Sequence, residues 1–236
     1  MTNNPFDIDF ASFGAQNSEP DIVPDHDEPL EDGNKILDAH QIRSAKMIKT
    51  IPYHKMIRMI SDKNIDDLLP WHFETGAAYH CLSYGGIDTY SYLKFILKQQ
   101  RLKYCLISSW IISPSDADAI KERVEAGDIE KIDFYVGDIF KGGYRGAYDK
   151  TLETAQLCNG RVAIFHNHCK LIVGFGEKFD FAIESSTNLN VNLRLEQTTI
   201  YINRELALWY KEYFDEIHAF NRDFDNWTPW KEDKST

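Results

Sequence analysis

Three residues in one apolar stretch have the types and the spacing to do chemistry. The segment RVAIFHNHCKLIVGF, residues 161–175, reads as a β-strand, apolar and β-branched, yet carries His166, His168 and Lys170 at every second position. Side chains two apart on a strand share a face, so two imidazoles and an ammonium are expected side by side. Three explanations fit. A strand at a sheet edge can present a wet polar face whose histidines are simply hydrogen-bonded. His-x-His can chelate a metal, but the Lys170 charge opposes a cation and no carboxylates or cysteines follow at ligand spacing. As phosphoryl-transfer groups the three are coherent, because an imidazole can attack phosphorus while an ammonium on the same face holds the phosphate oxygens.

The phosphoryl reading calls for further donors, and the sequence supplies them. Glu177-Lys178 marks a hairpin turn, after which AIESSTNLNVNLRLEQ returns toward the His168 end. Ser185, Ser186 and Asn188 then offer hydroxyl and amide groups to a phosphate cradle. Glu196, further on, is placed to accept from the distal nitrogen of His168 and fix its tautomer. Other groups are expected at the same end of the sheet. Trp110, in ISSW, suits either stacking on a base or headgroup or a place in the core. FKGGYRGAYDK sets Lys141, Tyr144, Arg145 and Lys150 among three glycines, which suits a nucleic-acid backbone and equally a solvated loop before a helix. Tyr84-Gly85-Gly86 precedes a helix, as an anion-binding turn does.

The elements that must position these groups alternate regularly. AAYHCLSYGG, KYCLISSWII, KIDFYVGDIF, KFDFAIESST and LEQTTIYIN read as strands. IDTYSYLKFILKQQ and YDKTLETAQLCNG read as helices, the second stopped by Asn159-Gly160. SPSDADAIKERVEAG is a helix capped by Ser113 or Ser115, with Pro114 in its first turn and Gly127 at its end. RELALWYKEYFDEIHAF closes the series with an apolar face through Leu206, Trp209, Tyr210, Tyr213, Phe214 and Ile217. The order β-α-β-α-β-α-β-β-β-α implies an α/β fold, a mixed β-sheet flanked by helices on both faces.

Composition sets the boundaries. The net charge of −11 over 236 residues counts against nucleic-acid binding until its distribution is seen. Nine acidic and no basic residues fall in positions 1–34, leaving 28 acidic against 26 basic in the rest. The proline-bearing acidic stretch has the signature of disorder. Its expected roles are a solvated tail, a shield over a cationic site, or docking of FDIDFASF on a protein partner. The expected organisation is a disordered acidic tail at 1–35, a helical lead-in at 36–75 interrupted near Pro52, the catalytic domain at 76–222 and a C-terminal tail at 223–236. No apolar run is long enough to span a membrane, and MTNNPFDIDF lacks the basic and apolar regions of a signal peptide. The scattered Cys81, Cys105, Cys158 and Cys169 suggest reduced thiols in a cytoplasmic protein.

HCK followed by SSTNLNVNLRLEQ resembles the phospholipase D superfamily, whose motif is H-x-K-x(4)-D-x(6)-G-S-x-N. His168 and Lys170 match H-x-K, Ser186-Thr187-Asn188 match S-x-N, and Ser185 stands at the glycine. Glu196 resembles the acidic residue that follows in nuclease-like members. The element order from about Tyr79 to Asn221 also fits. Phe175 stands where the motif has Asp, as the tyrosyl-DNA phosphodiesterase branch also dispenses with it, and a longer hairpin separates His168 from Asn188. The resemblance implies a phosphodiesterase, a nuclease on DNA or RNA, that needs no metal or other cofactor and passes through a phosphohistidine. His168 is then the nucleophile, Lys170 and Asn188 bind the non-bridging oxygens, Ser186 donates to phosphate or braces the cradle, and Glu196 orients His168. Family members use two H-x-K copies; this chain has one, which implies a homodimer with His168 of each subunit in one cleft. His166 would line that cleft. The alternative is a catalytically silent member that binds nucleic acid or serves as a scaffold.

Overall fold

The computed structural model describes residues 65–84, 87, 89–189, 194–222, 224 and 226–232, with backbone alone for 46–50, 67 and 84. The chain divides into Met1–Leu37 and Asp38–Thr236, and every described residue belongs to the second unit. The acidic tail, FDIDFASF and the Gly85-Gly86 turn therefore lie outside the described residues.

The strands are β1 (Lys46–Thr50), β2 (Ala78–Tyr84), β3 (Leu102–Ser109), β4 (Ile132–Gly137), β5 (Val162–Phe165), β6 (Leu171–Gly176), β7 (Asp180–Ser185) and β8 (Leu195–Tyr201). The helices are α1 (Ile65–Leu68), α2 (Thr89–Leu97), α3 (Pro114–Glu125), α4 (Phe140–Gly143), α5 (Arg145–Leu157) and α6 (Arg204–Asp215). One mixed sheet runs β1-β2-β8-β7-β6-β3-β4-β5, with β3, β4 and β5 parallel and the other pairings antiparallel.

Alternation along the strands divides two apolar layers. Cys105, Ile107, Phe134, Val136, Ile172 and Ile183 face α2, α3 and α5, while Tyr104, Leu106, Tyr135, Val173, Phe175 and Ala182 face α6. Burial on both faces is why these strands read as nearly continuous apolar runs. The fold is α/β with helices on both faces of a mixed sheet. No helix among the described residues is long and apolar enough to cross a membrane. All four cysteines are free thiols.

Local signals set several boundaries. Ser113 caps α3 by accepting from the Asp116 N–H at 3.1 Å, Pro114 opens it, and Gly127 follows at φ +75°. Elsewhere the structure departs from the sequence reading. Residues 161–175 are not one strand. β5 ends at Phe165 on the sheet edge, β6 begins at Leu171, and β4 and β3 lie between them. The helical lead-in at 36–75 contains β1, which pairs along β2 and so satisfies a backbone edge that β2 would otherwise expose.

FKGGYRGAYDK is not a glycine loop but α4 and the start of α5. Packing of Phe140, Ala147 and Tyr148 into the core overrides the low helix propensity of Gly142, Gly143 and Gly146. α6 buries Ala207, Lys211 and Phe214 and leaves Trp209 and Tyr213 59% and 61% exposed. Lys211 takes the inward place because its ammonium reaches Asp215 at 2.5 Å and lies over the Tyr104 and Trp230 rings. Trp230, in the expected C-terminal tail, lies against the sheet and stacks on Tyr104 with centroids 5.2 Å apart.

Candidate active site

Residues 166–170 carry the chain from β5 to β6 across the C-terminal ends of β4 and β3. Asn167, only 7% exposed, pins this crossover. Its Nδ2 donates to the Tyr135 carbonyl of β4 at 2.8 Å and to Ser108 Oγ of β3 at 3.0 Å, and its Oδ1 accepts from the Cys169 N–H at 2.9 Å. With Asn167 turned into the protein, His166 and His168 on either side are exposed.

His168 and Lys170 meet. The Lys170 ammonium stands 3.0 Å from His168 Nδ1 and 3.3 Å from Nε2, and donates to the His168 carbonyl at 2.8 Å. The imidazole leans on Trp110, with centroids 5.3 Å apart. Trp110 rests on Gly137, where a Cβ would come within 2.4 Å of the indole Cδ1. Burial lowers the Lys170 pKa from its ordinary value, while Cys169 and Glu196 pull it back up.

Antiparallel pairing delivers the second half of the site. Leu171 lies opposite Glu184, and the Ser185 N–H donates to the Lys170 carbonyl at 3.1 Å. Ser185 Oγ shares a hydrogen bond with Thr198 Oγ1 at 2.8 Å and accepts from the Thr187 N–H at 3.2 Å. Ser186 donates to the Glu196 carboxylate and accepts from the Gln197 N–H at 3.0 Å. Glu196 thus braces Ser186, and its charge reaches Lys170.

The loop beyond is tied to the end of β3. The Leu189 carbonyl accepts from the Ser113 N–H at 2.8 Å, and Ser109 Oγ lies 3.4 Å from Asn188 Oδ1. Ser109 gives its own proton to the Ile111 carbonyl at 2.6 Å. Oδ1 of Asn188 faces that hydroxyl, and its Nδ2 is the atom that can donate to an anion.

The remaining sequence candidates have other partners. His166 pairs through Nδ1 with Asp138 Oδ2 at 2.8 Å and meets the Phe220 ring edge-on at 4.9 Å. Tyr144 stacks on Phe140, Lys141 lies 5.5 Å from the Tyr148 ring, and Arg145 is exposed at the start of α5. Lys150 pairs with Asp118. Phe175, at the motif's Asp position, is buried against Tyr104 and Trp230 on the α6 side of the sheet. Lys170, just before β6, and Phe175 within it are five positions apart, an odd offset, so strand alternation directs them to opposite sides. The aromatic there fills a core place and removes no group from beside Lys170.

Asn167 and Asp138 were not legible as site residues. Their only signals were an amide inside an apolar run and an acid after the glycine that ends β4. Among the described residues, no group of three or more His, Cys, Asp and Glu side chains converges as a metal-ligand cluster.

The fold and the site together define an α/β protein with a histidine–lysine cluster at the end of a mixed sheet, beside a loop that carries hydroxyl and amide groups. No family model matches the chain. No curated protein matches it. Among solved structures it is similar to a polyphosphate kinase from Porphyromonas gingivalis, at 13% identity and a TM-score of 0.44, over 58% of this chain and 25% of that one. It is also similar to a phosphatidylserine synthase from Haemophilus influenzae Rd KW20, at 14% identity and a TM-score of 0.42, over 58% of this chain and 37% of that one. The chain thus spans only a quarter to somewhat over a third of those proteins.

Proposed function

We propose that the chain is a phosphodiesterase acting on DNA or RNA through a phosphohistidine at His168, without a metal. The observation that carries this reading is the contact between the Lys170 ammonium and the His168 imidazole, beside the braced 185–188 loop. A ring nitrogen of His168 attacks phosphorus, forming an N–P bond as the P–O bond to the leaving group breaks. Lys170 and the Asn188 amide hold the non-bridging oxygens as charge develops on them. Ser185 and Ser186 shape the loop through their bonds to Thr198, Thr187 and Glu196. Water then attacks phosphorus, the N–P bond breaks, and its electron pair returns to the imidazole. A second imidazole gives a proton to the leaving oxygen in the first step and recovers one from the attacking water in the second.

The test is trapping. Wild type and His168→Ala are incubated in EDTA with bis(p-nitrophenyl) phosphate and with labelled single- and double-stranded DNA and RNA, quenched in acid, and examined by mass spectrometry. A phosphoryl adduct on His168 of the wild type, absent from the variant, supports the reading. A folded protein that yields neither adduct nor turnover with any substrate would shift the assignment to a non-catalytic nucleic-acid-binding or scaffold role.

A further inference from the structure

The second imidazole need not come from another molecule. The resemblance implies a second copy's His168 in that role, but the geometry points to a donor in the same chain. We propose that His166, oriented by Asp138, is the general acid that protonates the leaving oxygen in the reaction proposed above, on which this inference rests.

Three observations place His166 there. Burial runs exposed, buried, exposed through His166, Asn167 and His168, so both imidazoles leave the end of the sheet on its solvent side. Their Cα atoms, two residues apart, are separated by at most about 7 Å. Both rings also flank one turn, since His168 leans on Trp110, Trp110 rests on Gly137, and His166 binds the next residue, Asp138. An attacking nitrogen sits at about 3–3.5 Å from its target, and an acid within about 3 Å of the oxygen it protonates. Two imidazoles on Cα atoms this close have the reach to stand on either side of one phosphodiester.

The hydrogen bond assigns the atoms. A carboxylate only accepts, so Nδ1–H of His166 donates to Asp138 and Nε2 is the nitrogen that exchanges protons with substrate. The His166 side chain is 81% exposed, against 42% for Asp138. That exposure gives the imidazole access to substrate, and Phe220 closes one side of it. As the P–O bond breaks, Nε2–H gives its proton to the departing oxygen. In the second step Nε2 takes a proton from the attacking water, and His166 returns to its starting state. Asp138 is a positioning residue, since it acts only through the imidazole.

Leaving-group dependence tests the assignment. The p-nitrophenyl ester of thymidine 5′-monophosphate expels a phenolate that leaves without a proton, whereas the dinucleotide TpT expels an alkoxide that requires one. His166→Gln and Asp138→Asn, both at exposed positions, are compared with wild type on the two substrates after their melting temperatures are matched. His166→Gln is expected to lose about 10²–10⁴-fold on TpT and at least tenfold less than that on the ester. Asp138→Asn is expected to show the same selectivity at smaller amplitude. Equal losses on both substrates would make His166 a binding or structural residue. No loss on TpT would leave the proton to a second copy's His168. Either result overturns the proposal while leaving the phosphohistidine reading intact. Wild type inert toward both substrates would instead sink the phosphodiesterase reading, and this inference with it.

Discussion

The Lys170 ammonium lies against the His168 imidazole, 3.0 Å from Nδ1 and 3.3 Å from Nε2. An ammonium has protons and no lone pair, so the ring must be the acceptor in this contact. The group that would hold the phosphate oxygens therefore lies against the ring that would attack phosphorus. An arriving phosphodiester offers the ammonium stronger acceptors, and the ammonium's transfer to them frees the ring. Binding of the anion and exposure of the nucleophile become one event.

That contact leads to a pH dependence. Burial shifts Lys170 below the ordinary lysine range, and Glu196 partly opposes the shift. Lysine binds phosphate only when charged, so kcat/KM should fall as pH rises through its pKa, earlier than for a free lysine. Glu196→Gln removes a charge that favours the ammonium, and the alkaline limb should move to lower pH. Lys170→Ala should cost about 10²–10³-fold on the plateau below that limb and should lose the limb itself, with the fold retained. A pH–rate profile of the three proteins on bis(p-nitrophenyl) phosphate in EDTA reads all of these. An alkaline limb that stays in place in Glu196→Gln would separate Glu196 from Lys170.

Asn167 should matter to turnover as much as to stability. Asn167→Ala leaves the buried Tyr135 carbonyl and the part-buried Cys169 N–H without this partner, at a cost of about 1–3 kcal/mol. The released crossover carries both histidines and Lys170, so turnover should fall further than the stability loss accounts for. Asn167→Asp should be worse, because a carboxylate cannot donate to the Tyr135 carbonyl. Urea midpoints measured beside turnover check this, and wild-type turnover from a folded Asn167→Ala would refute the pinning role.

Much of this site was legible before its geometry. The α3 cap, the Glu177-Lys178 turn and the return of Ser185 toward Lys170 all follow from local rules that act within a few residues. The break at 166–170 does not. Apolar residues flank it on both sides, so periodicity alone joins β5 to β6, and the anchor that separates them is an amide reaching two other strands. The stretch after 223 misleads for a related reason. It is polar on average, yet its Trp227 donates to the buried Asp133 at 3.0 Å and stacks on Arg161, with the guanidinium 3.7 Å from the ring. Composition averages hide two side chains that complete the α6 face of the core.

The Trp110–Gly137 contact offers the sharpest check on how the nucleophile is held. In Gly137→Ala the added Cβ would meet the indole Cδ1 at 2.4 Å, the Trp110 carbonyl at 3.0 Å and Nε1 at 3.1 Å. The ring has to swing away, and overpacking of this kind costs about 1–3 kcal/mol. A displaced indole no longer supports His168, so adduct formation should slow in step with the strain. Trp110→Phe shortens the ring and makes room for the methyl group. The double variant should therefore recover part of the stability lost by Gly137→Ala, a coupling that two independent sites would not show. It should not recover the full rate of adduct formation, because the smaller ring gives the imidazole less to lean on. Strict additivity in a double-mutant cycle of unfolding free energies would mean that the indole does not bear on Gly137. A Gly137→Ala variant with an undiminished rate of adduct formation would mean that Trp110 does not position His168.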